Sequence, residues 1–203
     1  MNIASRMLIA AAVVAALAVP SAWAQQQTVR LRGVIERLDG NTLLVKSRDG
    51  AELRLNLAND LRVVEVVKAS MADIKEGSFI GSGAMPQPDG SQKALEVHIF
   101  PEAMRGTGEG HRPWDGAPNG AMTNGTVGAA VTGVDGPIIT VKYKDGEKKI
   151  VVTPNVPIVR YEIGNRGALK PGAAFGVIAA VKKPDGTYDV NRINVGRDGA
   201  VPN

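Results

Sequence analysis

The residues best equipped for chemistry crowd into one short stretch of this chain. His98, Glu102, Glu109, His111 and Asp115 fall within 18 residues of one another. The segment 105–120, RGTGEGHRPWDGAPNG, adds Arg105, Arg112 and Trp114. Imidazole and carboxylate together suit Zn, Cu or Ni. His98 and His111 are the two histidines of the chain and hence its candidate metal ligands. Their spacing matches no tight metal motif, so only folding could bring them together. An indole among guanidinium groups suits another task, stacking against or anchoring a ligand. On that reading Trp114 is the anchor, and His111, Arg105, Arg112 and Glu109 are its polar neighbours.

Other chemistries find little support. GTGEG (106–110) has the composition of a phosphate loop, but such a loop needs a helix N-terminus behind it. Pro113 and the glycines that follow provide none. There is no cysteine nucleophile and no Gly-x-Ser-x-Gly elbow, and a Ser–His–Asp triad would have to use one of two histidines. The chain reads as a non-enzyme that needs no cofactor. Nucleic-acid binding calls for aromatic platforms in a basic groove. Phe79, Phe100, Tyr143, Tyr161, Phe175 and Tyr188 are too thinly spread for that. The basic run KYKDGEKK (142–149) reads as lysines on the open face of a hairpin. Its functional alternative is contact with an anionic lipid or glycan.

Residues 1–24 have the form of a secretory signal, with Arg6, an apolar run over 8–19, Pro20 and a terminal AWA. The run is shorter than the ~20 residues that span a bilayer, and no other long apolar run follows. The expected location is therefore the periplasm, with no membrane-embedded segment. The chain has no cysteine to form disulfides, so stability must come from an aliphatic core. A net charge of +4 favours anionic partners such as acidic glycans or lipid head groups.

An internal repeat organises the rest. LDGNTLLVKSRDGAELRLNLAND (38–60) is matched by VDGPIITVKYKDGEKKIVVTPNV (134–156), about 96 residues on. The match continues with DIKEG (73–77) against ALKPG (168–172) and LEVHI (95–99) against VNRIN (190–194). Strands are expected at 29–38, 42–47, 52–57, 61–67, 78–85 and 92–100, with a short helical turn near 70–77. The second module repeats them at 127–134, 138–143, 147–153, 157–161, 173–182 and 187–195, its turn near 166–170. Asp-Gly turns join the hairpins, because glycine reaches the positive φ they require. Five or six short strands per module suggest a small closed barrel, which leaves no unpaired edge. A split sandwich buries strands in the same alternation. Alternation also leaves open whether each module closes on itself or pairs with strands from elsewhere.

The tandem pattern V-x-x-[LV]-D-G, V-K, D-G, [LV]-K-x-G, D-G resembles an uncharacterised bacterial family of small exported OB-like β-barrels. It covers roughly 28–100 and 126–195. The resemblance implies a periplasmic β-barrel of no assigned activity. Relatives with the RGTGEGHRPWD segment sometimes carry a metal-transport label, and a chain without transmembrane segments would only serve such a system.

The expected architecture is all-β: a signal peptide (1–24), a first OB-like barrel (25–100), a Gly/Pro-rich linker (101–125) and a second OB-like barrel (126–203). Within the linker, 101–115 is expected to dock on a barrel and 116–125 to act as a hinge. The expected function is a non-enzymatic binding or accessory module, bound between the barrels near 98–115. The alternatives are a metal-handling accessory of a transport system and a structural envelope protein. The partner would be an unknown envelope protein or an anionic glycan or lipid surface.

Overall fold

The computed structural model describes residues 28–133 and 136–202. The signal segment 1–24 lies outside them. Among the described residues there is no α-helix, hence none long and apolar enough to cross a membrane.

The first module forms β1 (Thr28–Asp39), β2 (Thr42–Ser47), β3 (Glu52–Ala69), β4 (Phe79–Pro86) and β5 (Gln92–Ile99). A short strand β6 (Gly110–Trp114) follows. The second module forms β7 (Gly120–Gly133), β8 (Gly136–Tyr143), β9 (Gly146–Val151), β10 (Ile158–Ile163), β11 (Ala174–Lys182) and β12 (Tyr188–Gly196). The expected helical turns are single 3-10 turns at Met71–Asp73 and Arg166–Ala168. Ser70 and Asp73 form a capping box at the first.

The strands close into barrels, but not the sequence-local ones expected. In one ring, β1 pairs with β2, β2 with β3, β3 with β12, β12 with β11, and β11 with β1. In the other, β7, β8 and β9 join β4 and β5, which closes on β9 through two residue pairs. The modules have exchanged their last hairpins, so neither 25–100 nor 126–203 is a barrel on its own. The cores agree. Ile35, Leu43, Val45 and Leu55 pack with Phe175, Val177, Ile193 and Val195. Ile80, Val97 and Ile99 pack with Val127, Ile139, Val141 and Ile150.

The long strand β3 causes the exchange. The two strands expected at 52–57 and 61–67 are one strand of 18 residues. At ~3.3 Å per residue it would reach roughly 60 Å if straight, far more than a small barrel can hold. It therefore leaves its own barrel and delivers the next hairpin to the neighbour. In the second module the same path is broken between β9 and β10, where Pro154 and Pro157 interrupt the ladder.

Beyond their barrels, β3 and β10 pair antiparallel, with Val66 opposite Tyr161. The core pairs Ile193·Val63 and Val97·Ile158 occupy matching places in the two barrels. On that correspondence Val66 and Tyr161 are equivalents, so a pseudo-two-fold axis passes through their pair. It also shifts one repeat match: 95–99 corresponds to 191–195, one residue later than the sequence alignment puts it. The first strands shift further. Val45 and Val141 correspond, and their partners Ile35 and Val127 are separated by four residues fewer.

The 101–125 linker is also not a linker. It contains a 3-10 turn at Glu102–Met104 and β6, and its last residues, 120–125, belong to β7, paired with β4 on one side and β6 on the other. Gly120, Ala121, Thr123, Asn124 and Gly125 are buried, so the expected hinge lies inside the sheet.

Because β11 and β12 complete the barrel begun by β1–β3, residues 28–100 alone should remain unfolded or self-associate. Adding residues 101–202 should restore protected amides in β2. Hydrogen exchange and sedimentation of the fragments measure this; a folded monomer of 28–100 would refute the exchange. In the whole chain, Phe175→Ala should cost about 3–5 kcal/mol and speed exchange in β2, more than a hundred residues away.

Candidate functional site

A cleft of about 570 Å³ opens between the barrels around Tyr161. Its walls follow from strand alternation. Val97 points into one core, so Glu96 and His98 point out of it. Ile193 and Val195 point into the other, so Arg192 and Asn194 point out. Glu96 and Arg192 are equivalents across the pseudo-two-fold, as are His98 and Asn194. Arg30 and Arg32 of β1 likewise oppose Met122 and Asn124 of β7. The cleft is thus the surface where the modules face each other, and their divergence polarises it. One barrel contributes Arg30, Arg32 and Arg192; the other contributes Glu96, Met122 and Asn124.

The insertion between β5 and β7 covers one side. Arg112 and Trp114, two residues apart on β6, both face the cleft. The indole lies directly on backbone: a Cβ at Gly83 would sit 2.7 Å from it, and one at Gly116 would also collide with it. These glycines seat the ring, whereas 116–125 on sequence alone reads as a hinge. Arg30 of one barrel meets Asp115 of the insertion at 2.8 Å, tying the cover across the cleft.

The floor is buried and polar. His98 and Glu96 are 8% and 5% exposed, and His98 Nε2 lies 3.1 Å from Glu96 Oε1. The imidazole stacks on Tyr161, with ring centroids 5.1 Å apart, and Tyr161 meets Phe100 edge-on at 5.2 Å. Burial, with the charge of Glu96, raises the Tyr161 phenol well above its usual range, so it stays protonated. Burial lowers the Arg192 guanidinium; Tyr161 opposes that shift and Arg62 adds to it. Arg192 Nε and Asn124 Oδ1 are sealed from solvent without a hydrogen-bond partner.

The expected site residues divide. Trp114, Arg112 and His98 line the cleft. Arg105 does not. Its guanidinium is held by Glu102 at 2.6 Å and donates to Gly77 O at 2.9 Å, which pins the 3-10 turn to a barrel. Glu109 accepts the Lys144 backbone N–H at 3.1 Å. His111 bonds Thr123 Oγ1 through Nδ1 at 2.8 Å. Glu109 and His111 share a separate shallow recess with Tyr143, Asp145 and Lys148. The two histidines therefore lie on opposite faces of β6, and the expected His98–His111 metal pair is not assembled. Among the described residues no three His, Cys, Asp or Glu side chains gather to hold a metal ion. Sequence reasoning missed Arg30, Arg32, Glu96, Tyr161, Arg192 and Asn194. The one signal for them was their place on the outward phase of strands whose inward phase is core.

Comparison with protein-family models, with curated proteins and with solved structures finds no match to this chain.

In a chain beginning at Gln25, Trp114 is the single tryptophan, and its emission reports the cover. Gly83→Val should displace the indole, shift its emission to the red and cost about 1–3 kcal/mol, read by fluorescence and urea unfolding. An unchanged spectrum would mean the indole is not seated there. A second outcome concerns His111, whose imidazole is held below its ordinary value by burial, with Lys148 contributing. The unfolded chain then takes up this proton more readily than the folded one. Its contribution to stability is complete above the ordinary imidazole value and is lost as pH falls from there through the folded value. His111→Gln should therefore lose less stability than the parent between pH 7 and 5.

Proposed function

We propose that this protein is a non-enzymatic periplasmic binding module whose ligand sits in the cleft between the barrels. One observation carries the reading. Side chains from both modules and from the insertion converge on one concave surface, with a cluster of polar groups on an aromatic floor. Its volume lies within the ~300–1,000 Å³ typical of small-ligand sites. The indole on its glycine seat offers a flat face, and the arginines and Asn194 offer directed polar contacts. The ring order of each barrel, with a parallel pair closing it, supports an OB-like description. The signal-like segment supports export.

The test uses a neutral aromatic dye, N-phenyl-1-naphthylamine, because its fluorescence rises in apolar surroundings and it accepts energy from tryptophan. The dye should bind with sensitised emission from Trp114. Ile178→Trp, which fills the cleft from the opposite wall, should weaken binding at least about tenfold under direct dye excitation. Dye that binds equally to the filled variant, or no binding of either this dye or an anionic aromatic probe, would sink the reading and favour a purely structural envelope protein.

A further inference from the structure

We infer that the cleft is built for an organic acid, with its oxyanion among Arg32, Arg112 and Arg192 and a flat apolar body along Trp114. The inference rests on the cleft being the ligand site and adds the class of ligand.

The first argument is charge. Among the described residues, four arginines and two carboxylates line the cleft. Both carboxylates already have basic neighbours: Asp115 is bound to Arg30, and Glu96 lies against His98. Arg30 and Arg112 are exposed, and Arg112 also donates to Gly108 O at 2.6 Å, but Arg32 and Arg192 are half-buried, and a neutral ligand that displaced their water would leave them without an answering charge.

The second argument is an unmade bond. Arg192 Nε is sealed from solvent and has no partner, so the protein leaves this guanidinium under-satisfied. A ligand meets the part of the fork that lines the cleft, where a carboxylate or phosphate oxygen accepts a charge-assisted hydrogen bond. Burial and Arg62 both disfavour the charged form of this group, so an anion beside it has more to offer than at an exposed arginine.

The third argument is polarity of position. Across the pseudo-two-fold, Arg192 has become Glu96, Arg32 has become Asn124 and Arg30 has become Met122. Three of the four cleft arginines are therefore on one barrel's wall, and the fourth, Arg112, stands on the cover beside Trp114. The facing wall carries Met122 and the seated indole, with Pro113 beside it. A ligand that satisfies both walls has an anionic end and an apolar, flat end. Inorganic phosphate would answer only the first.

The experiment compares 1-naphthoate with 1-naphthamide on the chain beginning at Gln25, following Trp114 quenching and the thermal midpoint. Acid and amide share their flat body and differ in charge. The acid should bind at least about tenfold more tightly, the loss expected for one charge-assisted contact, and its affinity should fall with added salt. Inorganic phosphate should compete with it only weakly. In Arg192→Met the acid-to-amide ratio should fall toward one; if that variant does not fold, the wild-type comparison alone decides. Equal binding of acid and amide, or an unchanged ratio in the variant, would overturn the inference. Failure of both naphthyl compounds while the neutral dye still binds would also overturn it and leave the binding reading intact. Failure of all three would remove both.

Discussion

The antiparallel pairing of Val66 with Tyr161 holds this molecule in its arrangement. It is the point at which the two modules meet as equals, and everything else is placed relative to it. The strands β3 and β10 that cross there each belong to a different barrel's edge, so the ladder makes one continuous sheet of both. Hairpin exchange accompanies the same geometry, since β3 stays on β12 as far as Val66 and only beyond it runs on along β10 toward the other barrel. The cleft follows too, because groups pointing outward from each barrel near the axis face each other rather than solvent.

This explains why polar residues can be so deeply placed. Glu96, His98 and Asn194 would be exposed on an isolated barrel. In the assembled chain they are nearly as inaccessible as the aliphatic core. Their hydrogen bonds and ring contacts become structural necessities as well as chemical opportunities. The insertion adds what the two-fold pairing of the barrels does not. A two-fold pair of identical walls would present the same groups twice, whereas one cover with one indole, over walls that have diverged, gives the cleft two unlike ends.

Much of the secondary structure was legible from sequence, because each strand carries its own two-residue alternation. Leu43 and Val45 announce β2 as clearly as Ile139 and Val141 announce β8. Partner choice was not legible. Alternation encodes which face is buried and says nothing about what buries it, and repeated modules have interchangeable patterns. The cleft was hidden for the same reason: Arg192 and Asn194 look like solvated positions until the second barrel is laid against them. Of the candidate residues, Trp114 and Arg112 were found because an indole and a guanidinium are out of place in a flexible spacer. Arg105 and Glu109 shared that segment without sharing its role, since position along a chain does not tell which way a side chain turns. Gly83 and Gly116 carried no signal at all, because a missing Cβ shows its purpose only when a ring rests on it.

The hairpin exchange also governs when this protein can fold. The barrel that begins at Thr28 is closed by β12, which ends at Gly196. During synthesis β1, β2 and β3 together therefore wait for β11 and β12, the last hairpin of the second module, before they have a complete set of neighbours. Contacts so distant along the chain form slowly, and the early strands keep unpaired edges meanwhile. A nascent chain of this design cannot settle from its N-terminus forward. Its first three strands stay open until β12 has emerged, whereas β4, β5, β7, β8 and β9, contiguous over 79–151, have their ring partners earlier.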